Sequence, residues 1–262
     1  MGDRMSMVQA GVVIAWRTLP EFATWGLIFV RLVVVPGFTA LFYLAIASGG
    51  SFDSASYGTG LAAACAASGV AAAVSSATLV SFDRFEATAE YWALAPRLGS
   101  SLAWIGRNGI VLGAGLLTGV SSIVALMALR VVEFPDGNGL LLSVLSLLVS
   151  SVSAIGLGVF VGVASSSMRD SLLLVNLTEF GLPVLAGAAA SISSFPGVAF
   201  WIAAAFPTGW ATEAARSIES PSSAARYMAF AIATAIVWLL IALLLRAVSR
   251  GRRRDGRSTT VL

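Results

Sequence analysis

The chain contains no histidine and no lysine; all 16 of its basic residues are arginine. It has one cysteine, and only 11% of its residues are charged. Each shortage removes a class of chemistry. Without Lys the phosphate loop G-x-x-x-x-G-K-[ST] cannot be built. Without His there is no Ser-His or Cys-His pair and no H-E-x-x-H zinc site. A single Cys forms neither an internal disulfide nor a thiolate metal cluster. Cys65 lies among alanines and reads as a small packing residue. No cofactor or metal of its own is expected, and nucleic acid is not among the expected partners.

What is abundant is apolar. Hydrophobic residues make up 58% of the chain, and its mean hydropathy is +0.90. Soluble domains carry about 45–50% apolar and about 25% charged residues. A compact particle cannot hide this much apolar surface, so part of its solvent must be lipid. Six apolar runs follow one another: Gly26–Ser48, Tyr57–Ser81, Leu102–Leu129, Gly139–Ser165, Leu172–Ser193 and Ala224–Leu245. None alternates in character residue by residue, so helices rather than barrel strands are expected. The predicted fold is all-α and polytopic, with six transmembrane helices in one domain over 1–262. That domain divides into a cytoplasmic interfacial segment (1–25), a six-span bundle (26–246) and a basic tail (247–262).

Charge sets the orientation. With the N-terminus inside, the inner side collects Arg4, Arg17, Arg84, Arg97, Arg107, Arg169 and the arginines of the tail, while the outer side collects Arg130, Arg216 and Arg226. Arginine enrichment marks the cytoplasmic side, so both termini are expected there. Met1–Ala15 lacks the charged, apolar and small-residue layout of a cleavable signal. Met5–Phe22 mixes apolar residues with Gln9, Arg17 and Glu21 and reads as a helix along the inner leaflet. Ser194–Ser223 is too apolar for a free loop and is broken by Pro196 and Pro207. It is expected to form a re-entrant helical hairpin on the outer side, with Trp201 and Trp210 at the headgroups. An abundance of Ala with Arg in place of Lys points to a GC-rich bacterial source, hence an inner (plasma) membrane.

Two stretches carry a family pattern. After the second run the sequence reads FDRFEATAEYWALAP, with Arg84, Thr88, Glu90 and Pro96 in register. Later, FPTGWATEAARS places Pro207, Trp210, Glu213 and Arg216. Together with the span plan, these stretches resemble type-2 ABC exporter permeases. Ala87 stands where that family usually has Gly, and Ala89 where it has Leu. The resemblance implies a non-catalytic permease that pairs with a second permease subunit, the same or different. Each permease docks a cytoplasmic ATPase, which holds ATP and Mg. It also implies that the loop after span two is a short helix seated on the ATPase. Asp83, Arg84, Glu86 and Glu90 would supply its charges, and Phe82, Phe85, Tyr91 and Trp92 its buried anchors. Thr88 would bond back to the preceding turn, and Pro96 would end the helix. Cargo of the drug, antibiotic or lipid-like amphiphile class is implied.

Arg31 and Glu179 lie inside apolar runs, where a central charge costs roughly 2.5–3.5 kcal/mol. By the resemblance, spans two and five line the path, which makes Glu179 and Asn176, one turn before it, candidate contacts for a cationic cargo. The competing assignment is a structural pair of Glu179 with Arg107 or Arg31. Gly109/Gly113, Gly115/Gly119 and Gly158/Gly162 are spaced for close helix packing, within the chain or between copies. A stand-alone secondary transporter or channel is the alternative function; it would use mid-membrane acids on broken helices. An intramembrane enzyme would need paired acids or His, which the sequence lacks.

Overall fold

The computed structural model describes residues 2–50, 56–85, 97–133, 137–166, 168, 170 and 172–254. Every regular element among them is helical. Five helices are long and apolar enough to cross a membrane: α2 (Trp25–Ala47), α3 (Tyr57–Phe85), α4 (Arg97–Ala128), α5 (Gly137–Ser165) and α9 (Pro221–Arg254). Helix α1 (Gly2–Thr18) precedes them. Three short helices, α6 (Leu173–Leu185), α7 (Gly197–Ala204) and α8 (Pro207–Arg216), stand between α5 and α9. Below, the end of the bundle where α1 packs is called proximal and the opposite end distal. The basic tail is not a separate segment at its start, because α9 continues as helix through Arg254.

Helix α3 is the axis of the bundle. From Leu61 to Leu79 all its residues are buried except Val70, Ala71 and Val74. Its Ala, Ser and Gly composition explains this, since small side chains let neighbours approach on every side. Its most extensive partner is α5. A Cβ on Gly158 would collide with the Ala73 carbonyl, and one on Gly162 would lie 2.7 Å from the Ala77 carbonyl. Hydroxyls stitch the same seam: Ser68 and Ser151 lie 2.6 Å apart, Ser150 donates to the Cys65 carbonyl at 2.7 Å, and Tyr57 meets Ser143 at 2.8 Å. Cys65 is fully buried there. Helix α1 lies against the first turns of α4, where Gly11 faces Ala103 and Gly106 faces Val8 backbone to backbone. The turn after α1 buries Glu21, whose carboxylate accepts from Ser75 Oγ of α3 at 2.6 Å.

Helix α2 carries a π-turn over Val30–Val34, just before Pro36. Proline has no N–H for the Leu32 carbonyl four residues back. Ser121 Oγ of α4 donates to that carbonyl instead, at 2.7 Å.

The fifth apolar run departs from expectation. Leu172–Ser193 was to be a full crossing, but α6 has 13 residues, about 20 Å of rise against the ~30 Å of a hydrocarbon core. The chain stops it deliberately. The Gly187 N–H bonds to Val184 O and the Ala188 N–H to Pro183 O, each at 3.0 Å, with Gly187 at φ +68. This is a Schellman stop, and only glycine adopts its left-handed residue without strain.

If the α3–α5 seam depends on absent Cβ atoms, position matters more than residue type. Gly158→Ala is expected to lower the melting temperature in mild detergent by several degrees, whereas Gly109→Ala, whose Cβ meets nothing within 4 Å, leaves it unchanged. Fluorescence-detected size-exclusion melts of the two variants check this; equal melting would contradict it.

Candidate functional site

The stop at Gly187 leaves the last carbonyls of α6 pointing into the protein. Helix α8 is built to meet them. It runs antiparallel to the first half of α3: its end reaches Gly58, beside the Ala215 and Arg216 carbonyls, and its Thr208 packs on Gly69. Pro207 starts it at the first helical position, where the missing N–H costs nothing. Eight of its residues, Pro207 to Gly209 and Ala211 to Ala215, are buried.

Thr212 Oγ1 donates to the Ala186 carbonyl, and Arg216 Nη2 donates to the Gly187 carbonyl. A cation at the C-terminal end of a helix also suits the helix dipole. Glu213 balances that cation: its Oε1 lies 3.2 Å from Arg216 Nη1 and accepts the Ile192 N–H at 2.8 Å. Two indoles close the elbow between α7 and α8 in the same way. Trp210 Nε1 donates to Ala204 O at 2.8 Å, and Trp238 Nε1 of α9 donates to Ala205 O at 2.6 Å. Trp210 stacks on Tyr227, and Trp238 on Phe206.

The four residues singled out in FPTGWATEAARS thus come together, and Thr212 joins them. Thr212 was missed because a threonine inside a helix ordinarily bonds back to its own preceding turn, as this one also does to Gly209 O. Only the location of the α6 stop reveals its second partner.

At the proximal end Asp83 accepts from Arg107 Nη1 with both carboxylate oxygens, at 2.8 and 2.9 Å, and Arg107 Nη2 reaches Leu79 O at 3.0 Å. This pair removes Arg107 as a partner for Glu179. It also ties Asp83, expected among the docking charges, to the bundle. Arg84 belongs to the last turn of α3. Glu86, Thr88, Glu90, Tyr91, Trp92 and Pro96 lie outside the described residues.

Asn176 and Glu179 sit on the exposed face of α6, beside Leu177, Phe180 and Val184. The buried face of that helix, Val175 and Leu182, packs on α3 and α5. Arg31 is exposed on α2, in line with Val35, Phe38 and Phe42. Neither Arg31 nor Glu179 has an ion-pair partner among the described residues. An apolar groove of about 220 Å³ runs between α5, α6 and α9, lined by Phe160, Leu177, Thr178 and Trp238 among others. No group of three or more His, Cys, Asp or Glu side chains that could hold a metal occurs among the described residues.

Set against protein-family models, curated proteins and solved structures, the chain matches none.

The cap makes a double-mutant prediction. Arg216→Met leaves the Gly187 carbonyl and the Glu213 carboxylate buried without their cation, a loss of about 3–5 kcal/mol. Adding Glu213→Gln removes the stranded charge, so the double variant is expected to be more stable than Arg216→Met alone. Thermal melts in one detergent measure the coupling; strictly additive losses would show that the two side chains act independently.

Proposed function

We propose that this chain is the membrane subunit of an ATP-driven exporter, working with a separate cytoplasmic ATPase and a second permease subunit. The observation that carries the reading is where the two family-like stretches fall. Pro207–Arg216 forms the cap that holds the half-helix α6 in place. The first residues of FDRFEATAEYWALAP, Phe82–Phe85, end α3 at the opposite, proximal end, where the Asp83–Arg107 pair anchors it. The reading gives the first stretch the wall of a path and the second the receipt of work.

In this reading the proximal end is cytoplasmic, α6 is the fifth element of a six-span plan, and α7 with α8 is the re-entrant hairpin from the outer side. The segment from Asp83 to Pro96 seats on the ATPase. Arg84, Glu86 and Glu90 supply charge, Tyr91 and Trp92 supply anchors, and Thr88 and Pro96 shape the helix. ATP and Mg are bound by the partner. Closure of the ATPases pushes the two seats together and shifts the paired permeases between two packed states. Asn176 and Glu179 face the path between them. An exposed carboxylate on an otherwise apolar helix suits a wet lumen and a cationic amphiphile better than lipid. The cargo class is a drug, an antibiotic or a lipid-like amphiphile, and the setting is a bacterial plasma membrane.

A stand-alone secondary transporter is the rival, because such proteins hold coupling ions at the ends of broken helices. Helix α6 is broken, but its terminal carbonyls at Ala186 and Gly187 are occupied by Thr212 and Arg216. They are not open to a coupling cation.

Reconstitution with the ATPase provides the test. Arg84→Ala or Glu90→Ala is expected to leave the chain inserted and folded while cargo-stimulated ATP hydrolysis and transport fall at least about tenfold. Glu179→Gln is expected to weaken transport of a cationic cargo more than that of a neutral one. Full transport in the first pair would remove the docking role, and equal loss for both cargoes would make Glu179 structural.

A further inference from the structure

Helices α6 and α9 both pack on α5, yet among the described residues they scarcely touch each other. The gap between them is the apolar groove of about 220 Å³. Leu157, Phe160 and Val161 of α5 form its floor, Leu177 and Gly181 belong to its α6 wall, and Trp238 lines it from α9. A Cβ added at Gly181 would meet nothing within 4 Å, so the open space reaches the α6 backbone. Leu177 is 58% exposed, and the groove opens outward beside it.

The depth of the groove follows from its neighbours on α3. Leu185 lines one end, and the next residue, Ala186, meets Ala66. Phe206 lines the same end and lies two residues before Thr208, which packs on Gly69. Ala66 and Gly69 stand near the middle of α3 (Tyr57–Phe85). From Leu185 the lining continues to Leu174, eleven residues toward the proximal end, about 16 Å of rise. That is close to half of a ~30 Å hydrocarbon core. The groove therefore spans the proximal leaflet and stops near the mid-plane, where Phe206 and Trp238 stack.

Nothing in the groove asks for a hydrogen bond. Its two polar side chains are already engaged: Thr178 Oγ1 donates to Leu174 O at 2.7 Å and Trp238 Nε1 to Ala205 O at 2.6 Å. A polar guest would give up its own partners here without compensation. The volume is about one and a half times the ~150 Å³ cavity that admits a benzene ring. A helix, ~10 Å across with its side chains, is too wide for it. A second copy of the chain would need roughly 1,200–2,000 Å² of buried surface for a stable contact, far more than so small a trough offers. A single hydrocarbon chain matches its width, length and chemistry. We propose that the groove is a resident-lipid site, in which one acyl chain of a proximal-leaflet phospholipid lies from Leu174 to the Phe206–Trp238 stack. The acyl chain supplies, through many small dispersion contacts, the packing that α6 and α9 do not give each other. The inference goes beyond transport and stands whether or not an ATPase binds.

The experiment has two arms, both on the full chain. In the first, the chain is washed extensively in mild detergent and weighed by native mass spectrometry. One phospholipid per chain is expected to stay on the wild type and to be lost from Gly181→Phe, whose ring fills the groove. Stripping that last lipid is expected to lower the wild-type melting temperature by several degrees and adding phospholipid back to restore it, while Gly181→Phe melts alike with and without lipid. In the second arm, the wild type is placed in phosphatidylethanolamine and phosphatidylglycerol vesicles doped with a phospholipid that carries a diazirine midway along one chain. Photolabelling is expected to be several-fold stronger at Phe160, Leu177 and Leu185 than at Phe38 and Ile236, which stand exposed on α2 and α9. If Gly181→Phe does not fold, the labelling decides alone. Even labelling of exposed positions overturns the proposal, as does a wild-type chain that comes away bare or a lipid count that Gly181→Phe leaves unchanged. Displacement of the labelled phospholipid by a single-chain amphiphile, but not by unlabelled phospholipid, also overturns it, because the groove would then belong to cargo.

Discussion

A backbone carbonyl inside a bilayer has no water to turn to, and this one constraint organises the irregular parts of the molecule. At three breaks among the described residues, another element brings a donor. Pro36 strands the Leu32 carbonyl and Ser121 meets it. The stop at Gly187 strands three carbonyls; Thr212 and Arg216 meet them. The elbow before Pro207 exposes Ala204 and Ala205, and two indoles meet those. Non-helical backbone at membrane depth is tolerated only when it is satisfied by protein in this way. The breaks and their donors are therefore single units, and α6 keeps its short length because α8 is shaped to complete it.

The second requirement is close approach. A bundle in lipid gains little from burying apolar surface against equally apolar lipid tails, so packing and interhelical hydrogen bonds must hold it together. The α3–α5 seam supplies both, with glycines where backbones touch and serines where hydroxyls can cross. The cost falls on α3, which has few large side chains and depends on its neighbours for its position. At its proximal end α3 is tied to α4 through Asp83 and Arg107.

Much of this was legible in the residues. The five long helices follow from run length and hydropathy, while Pro207, Trp210, Glu213 and Arg216 stand out in the sequence without their partners. The Gly187 stop was present as a glycine four residues after Pro183 but was masked by the apolar residues on both sides, which make the run look continuous. Spacing could not say which glycine pairs meet a neighbour. Gly158/Gly162 and Gly109/Gly113 are identical as patterns, yet the first packs on α3 and the second meets nothing within reach, because the facing helix is set by tertiary packing. The partner of Arg107 was missed for the same reason: Asp83 looked like a loop charge, and only the end-on approach of α3 to α4 makes it a bundle residue.

The central claim is that this chain cannot energise transport alone. It is tested most directly by isolating the tagged chain from its own cells in mild detergent and identifying by mass spectrometry what remains bound. A stoichiometric soluble protein bearing a phosphate loop, with ATPase activity that rises when cargo is added, is the predicted result. A preparation that holds only this chain, yet moves cargo into vesicles on a proton gradient, would contradict it.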